Sequence, residues 1–204
     1  MKIIVFGANG RTGQKVINQA ISNGIEVTAF VRNRETIKIQ SENLHIIVGH
    51  ATRYEDVKKA MASHDAVISC IGGPGAKVST TITDITKNIV DAMNETGVKR
   101  IAQVSSAGVH GELKGVIGKV ISFMLKNPLK DHKGAYNKLK EGTVDYTLAR
   151  PLSLTDGAFT GVYREAEEGV PAGGKNISRA DLANFLLKVI QDDKYIGKSV
   201  GLAY

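Results

Sequence analysis

The segment KIIVFGANGRTGQKV carries glycines at positions 7, 10 and 13, directly behind an apolar run and at the start of a helical one. In that position each glycine has a chemical use. Gly7 turns the chain sharply off a strand, Gly10 lets the backbone approach a diphosphate, and Gly13 lets the following helix pack close to the sheet. The first-turn amides of that helix, with its dipole, then face phosphate oxygens. The pattern predicts a dinucleotide site gripped by main chain. At the end of the second apolar run stand Arg32, Asn33 and Arg34, where sites built for NAD place an acidic residue against the ribose hydroxyls. Arginines there suit a 2′-phosphate instead, through charge-assisted hydrogen bonds, and Arg11 can reach the same group from the glycine turn. The expected cofactor is therefore NADP(H). Tyr136 and Lys140 are four residues apart on a helical stretch, the spacing at which a lysine lowers a tyrosine pKa for proton exchange with a substrate oxygen.

Such residues need a layered frame. Short β-branched runs at 2–6, 26–31, 45–48, 66–71 and 100–104 read as strands, and 12–22, 54–62 and 80–96 as helices, the last with Ile82, Ile85, Ile89, Val90 and Met93 at helical spacing. Near-continuous apolar strands imply burial on both faces. The expectation is an α/β fold: a Rossmann-type doubly wound parallel sheet in a single domain spanning 1–204. Beyond the fifth strand, 113–126 is amphipathic, with Leu113, Val116, Ile117, Val120, Ile121 and Met124 on one stripe and Lys114, Lys119 and Lys126 elsewhere. It reads as a helix covering the sheet edge, with a mobile lid or a membrane-contacting segment as the other readings, and Asn127 and Pro128 should break it. A helix at 131–141, a strand at 146–149, a glycine-rich loop and a helix at 179–191 complete the pattern, the last capped by Ser178 with Asp181 at its third position.

The 204 residues are 42% hydrophobic and 23% charged, an ordinary globular composition. No run approaches the roughly 20 apolar residues of a membrane span, and the N-terminal run reads as a strand rather than a signal peptide. A cytoplasmic protein with no membrane partner is expected. Cys70 is the one cysteine, so no intramolecular disulfide can form and an inert buried thiol is expected. The net charge of +7 suits anionic partners, while aromatic residues are only 5% and scattered, so small anions are favoured over nucleic acid. No metal site is expected.

Taken together, the motifs resemble the atypical short-chain dehydrogenase/reductase group, in particular its NmrA-like NAD(P)-binding branch and the NADPH-dependent flavin and biliverdin reductases. The likeness runs almost end to end, through GANGRTG at 7–13, FVRN at 30–33, HDAVISCIGG at 64–73, STTITDITKNIVDAM at 79–93, VSSAG at 104–108, KDH at 130–132, DYTLARP at 145–151 and ISRADLANFLL at 177–187. The resemblance implies that Gly7, Asn9, Arg11, Thr12 and Gly13 line the diphosphate, Arg32 the 2′-phosphate, and Gly72 and Gly73 the linking ribose. It puts Ser105 and Ser106 on the nicotinamide side and His132 beside that pocket, making Ser106 and His132 the catalytic candidates. One departure is Gly49 followed by His50, where the group often carries Gly-Asp near the adenine. If Leu139 and DYTLARP fix the register, the family's Tyr and Lys positions fall near Pro128 and His132. Tyr136 and Lys140 then lie a turn or more too far along the helix, as an accident of a lysine-rich segment.

Without a proton relay, the chemistry implied is hydride delivery to an acceptor that takes its proton from water, such as a flavin, a quinone or a biliverdin-like molecule. The alternative is a non-catalytic NADP-binding redox sensor. Monomer and homodimer are both open.

Overall fold

Ile3, Ile4, Val5 and Phe6 of the first strand, β1 (Lys2–Phe6), are fully buried, and a strand buried on both faces needs a helical layer above and below. The chain supplies these layers by alternation: α1 (Arg11–Ser22), β2 (Glu26–Val31), β3 (Leu44–Val48), α2 (Tyr54–Met61), β4 (Ala66–Ser69), α3 (Thr81–Thr96) and β5 (Arg100–Val104). There follow α4 (Gly115–Met124), α5 (Lys126–Glu141), β6 (Asp145–Pro151), β7 (Ser153–Thr155), β8 (Arg164–Ala166), β9 (Asn176–Ser178), α6 (Arg179–Val189) and β10 (Lys198–Ala203). The computed structural model describes residues 1–73, 75, 77–113 and 115–204, with backbone alone at Val116 and Ile117. Lys114, placed off the amphipathic stripe above, and the stripe side chains of Val116 and Ile117 thus lie outside the described set.

The main sheet runs β3-β2-β1-β4-β5-β6-β10-β8, and a separate pair joins β7 to β9. Every pairing of the main sheet is parallel except β8 against β10. The doubly wound α/β fold is therefore present, with an antiparallel strand at one edge of a mostly parallel sheet. Val16, Ile17 and Ala20 of α1 pack with Leu182, Phe185 and Leu186 of α6 on one face. Met61 of α2, Ile89 and Met93 of α3 and Leu139 of α5 fill the other. Strand order reverses at β1 and β4, which opens a crevice at their carboxyl ends.

The second half departs from expectation. Pro128 does not break a helix: it lies in the first turn of α5, where its missing N–H has no intrahelical acceptor to lose, and α5 begins at Lys126. Nor does α4 cover a sheet edge. The edge beyond β6 is already occupied by β10 and β8, and Val120, Ile121, Phe123 and Met124 are exposed. Ser178 caps α6 as expected, accepting the Asp181 amide at 3.0 Å. No helix of the described residues is long and apolar enough to cross a membrane.

His64 ties the loop before β4 to β2 and α2, with Nε2 2.8 Å from Thr28 Oγ1 and Nδ1 3.1 Å from the Met61 carbonyl. Burial pulls its pKa below the ordinary imidazole value, against a smaller upward pull from the Met61 bond. The unfolded chain therefore takes up this proton before the folded one does. The stability contributed by the neutral ring is complete above about pH 6.5 and is lost as the pH falls below it. The melting temperature should drop on acidification from about pH 7 to about pH 5, and His64→Gln should shallow that drop; parallel thermal melts of the two proteins check it.

Candidate functional site

At the end of β1 the chain takes a turn that leaves no room for a Cβ at Gly7 or Gly13. Gly7 has φ +73°, and a Cβ there would lie 2.7 Å from the carbonyl group of Cys70 at the end of β4. The Gly10 amide donates to the Gly7 carbonyl at 3.0 Å, and a Cβ on Gly13 would sit 2.3 Å from that same oxygen. The helix α1 starts immediately, with Gly10 as N-cap, no side-chain cap and no acid in its first turn. The amides of Arg11, Thr12 and Gly13 are thus left to an anion, and the helix dipole reinforces the preference.

This turn forms one end of a cleft of about 320 Å³, lined also by Asn9, Arg32, His50 and Gly72. Among the described residues, no carboxylate lines it. Of the basic side chains after β2, Arg32 faces the cleft and Arg34 does not. Arg34 opens a short 3-10 turn that Asn33 caps, its Oδ1 accepting the Glu35 amide at 2.9 Å. Arg11 reaches away, to Asp156 Oδ2 at 3.0 Å, and the other oxygen of Asp156 accepts from Arg179 at 2.8 Å. Gly73 lies beyond the lining, beside Ile82 and Asp131. Cys70 borders the cleft, and burial pushes its thiol up to about 12, so it stays protonated and inert.

A second, larger cleft of about 1140 Å³ begins at Ser105 and Ser106, just past β5. Ser105 Oγ is buried without a hydrogen-bond partner among the described residues, while Ser106 Oγ donates to the Ala107 carbonyl at 3.1 Å. Leu113, Ile121, Leu125 and Leu154 supply apolar wall, and Lys175 and Arg179 positive charge. Because Cys70 and Val104 follow or end the neighbouring strands β4 and β5, the two clefts adjoin at the carboxyl edge of the sheet.

His132 lines neither cleft. It is half-buried on α5, its Nδ1 without a partner among the described residues, and burial holds its pKa down against a smaller upward pull from Asp131, so the ring is neutral at pH 7. Tyr136 also lies outside both clefts, edge-on to His110 at 4.9 Å and to Tyr146 at 6.1 Å. Lys140 sits over its ring, 5.8 Å from the centroid, rather than beside its hydroxyl.

Two anchors escaped the reading of the sequence, and a third, Asp181, was read only for its place behind the Ser178 cap. Asp131, only 3% exposed, accepts the amides of Ile82 and Thr83 at 3.1 and 2.8 Å and so caps α3 from α5. Arg150, 1% exposed, pairs with Glu112 of the larger cleft and donates to the carbonyls of Gly169 and Ser199. Asp181 accepts from Thr160, Gly161 and Tyr204, and these bonds outweigh the upward push of burial to hold its carboxyl below the usual range. The one signal for Arg150 was a charge directly after the apolar pair Leu148 and Ala149, where burial demands a partner.

Strand order, an uncapped helix start behind a glycine turn, and a cleft at the switch point define a dinucleotide-binding Rossmann protein. Comparison with known proteins agrees: residues 7–193 match the NAD(P)H-binding family, and the chain belongs to it. An uncharacterized chloroplastic protein of Arabidopsis thaliana is 29% identical over 206 residues, covering 95% of this chain and 73% of that one. A short-chain dehydrogenase/reductase from Veillonella parvula, solved in complex with NADP, superposes with a TM-score of 0.84 at 20% identity, covering 100% of this chain and 94% of that one. An anaerobillin reductase from Escherichia coli O157:H7 gives a TM-score of 0.84 at 20% identity, covering 100% of this chain and 97% of that one.

Gly13→Ala should show how tight the turn is. Its methyl meets backbone at 2.3 Å, so the substitution should cost about 1–3 kcal/mol in urea unfolding, and NADPH titration should show affinity lost with it.

Proposed function

We propose that the chain is an NADPH-dependent oxidoreductase that delivers hydride to a planar acceptor such as a flavin, a quinone or a biliverdin-like molecule. The observation that carries the reading is the pair of adjoining clefts: one has an uncapped helix start and Arg32 with no carboxylate in its lining, the other apolar walls opening from two serines. The first fits a phosphorylated dinucleotide. Amides of the first turn of α1 hold the diphosphate, and Arg32 holds the 2′-phosphate that an acidic residue at this place would repel. Bound NADPH supplies the hydride. Ser105, whose hydroxyl has no partner among the described residues, hydrogen-bonds on the nicotinamide side, and Ser106 turns from the Ala107 carbonyl toward the acceptor. Leu113, Leu125 and Leu154 exclude water from the acceptor's face.

No tyrosine-lysine relay borders either cleft, so the acceptor is one that draws its proton from solvent. A fold neighbour solved in complex with NADP and another that is an anaerobillin reductase are compatible with this chemistry. The missing relay also favours a second reading, a non-catalytic NADP(H)-binding sensor. Cys70, held as a protonated thiol, suits a reducing cytoplasm.

Following NADPH absorbance on addition of flavin mononucleotide or simple quinones separates the two: turnover supports the enzyme, and NADP retention without turnover with any acceptor supports the sensor. Arg32→Ala should weaken NADPH about tenfold or more, as loss of a hydrogen bond to a charged group does, and leave NADH nearly unchanged; equal losses would put the phosphate elsewhere. Tyr136→Phe should leave hydride transfer within about twofold, since Tyr136 borders neither cleft, and its abolition with intact NADPH affinity would restore a carbonyl-reductase mechanism.

A further inference from the structure

The helix α4 presents an apolar face that no other part of the described chain covers. Phe123 is 80% exposed, Met124 69% and Val120 54%, and their i, i+3, i+4 spacing sets them side by side. Around them the sequence has a single sign of charge. From 113 to 130 there are four lysines and no aspartate or glutamate. Lys119, Lys126 and Lys130 are exposed, and among the described residues none of them meets a carboxylate, whereas Lys58, Lys87, Lys138 and Lys198 elsewhere each do.

A partner for this face must be apolar beneath and negative above. A second copy of the chain does not qualify: a two-fold contact through α4 would set its lysines against their own images, with no acid in the segment to answer them. The headgroup layer of an anionic bilayer has both properties, since apolar side chains enter the acyl boundary while lysines meet lipid phosphates. At 10 residues α4 spans about 15 Å, too short to cross a bilayer and suited to lying in its surface. On the same helix Ile121 lines the larger cleft, as does Leu125 just after it, so the outward face is continuous with the cleft wall.

We propose that α4 seats this protein on the surface of a bilayer containing anionic lipid, with Val120, Phe123 and Met124 in the acyl boundary and Lys119, Lys126 and Lys130 against phosphate headgroups. Resting on the proposed function, this contact turns the acceptor cleft toward the membrane and selects lipid-dissolved acceptors, quinones above water-soluble flavins.

The test is co-sedimentation of the full chain with vesicles of phosphatidylcholine mixed with phosphatidylglycerol, and with phosphatidylcholine alone. Partition into the mixed vesicles should exceed that into neutral ones by about tenfold and should fall as salt is raised. The double variant Phe123→Ser/Met124→Ser, and separately Lys119→Glu/Lys126→Glu, should each lose about tenfold of that partition while melting temperature and NADPH affinity hold. Absence of sedimentation by the unaltered chain at low salt overturns the proposal, as does sedimentation unchanged in both variants. Ultracentrifugation showing a dimer that the Phe123/Met124 variant dissolves would also overturn it and assign the face to a second copy. The NADPH titration without vesicles fails only if the cofactor reading fails, so the two ideas are separately exposed.

Discussion

The Gly7 carbonyl accepts the Gly10 amide at 3.0 Å and leaves no space for a Cβ on Gly13, which would lie 2.3 Å away. Those two distances set how closely α1 rises from the end of β1, and therefore where its uncapped amides point. A wider turn would carry the start of α1 away from the crevice between β1 and β4, and the dipole would act on solvent. Because Gly7 itself lies within 2.7 Å of the Cys70 carbonyl when given a Cβ, the turn is also fixed against β4. The anion site is thus a by-product of backbone packing at the sheet's switch point, and needs no side chain of its own.

The walls of the clefts are held differently, by buried charges, Asp131 behind the smaller cleft and Arg150 behind the larger. Asp131 caps α3 from α5, and Gly134 on the next turn permits the approach, since a Cβ there would meet Thr83 Oγ1 at 2.3 Å. Arg150 reaches from β6 to Glu112 and to backbone carbonyls of two separate segments, which fixes the loops that form the cleft's far wall. Breaking one partner of such a pair leaves a buried charge uncompensated, so these contacts specify loop position far more strongly than exposed lysine pairs do.

The first half of the chain was legible because burial on both faces of a parallel strand favours apolar runs. These are nearly unbroken in β1 and β4 and interrupted inside β2 and β5 only by Thr28 and Gln103, while the edge strand β3 is half-buried. Asp181 capped by Ser178 was legible for a similar reason, since the signal is local. What escaped was non-local or short. Asp131 meets its partners across 49 residues and Arg150 meets Glu112 across 38, distances over which spacing carries no information. The strands β7, β8 and β9 have three residues each, too few for a period to show, and β10 contains Gly201, packed against the Gly169 carbonyl. Missing β8 and β10 led directly to misplacing α4: with the sheet edge thought bare, a helix was assigned to cover it. The same blindness affects the site. Sequence order put Arg11, Arg32 and Arg34 on one footing, and only the fold separates a cleft residue from a neighbour that begins a 3-10 turn.

Arg11 shows why position outweighs charge in this site. It pairs with Asp156, yet the two side chains are 71% and 59% exposed, and an ion pair so open to water holds by about 1 kcal/mol at most. On the proposed function, a phosphate held by the amides of α1 offers Arg11 more charge and more acceptor oxygens, so the bridge would yield to it at little cost. Release of Arg11 would leave Asp156 to Arg179, whose side chain is 10% exposed at the wall of the larger cleft. The carboxylate would still neutralise that buried cation. Arg32 has no such competitor among the described residues, and nothing must be broken before it engages a phosphate. On the proposed function, Arg11 would therefore contribute to holding any dinucleotide, while the choice between the phosphorylated and unphosphorylated forms would fall to Arg32.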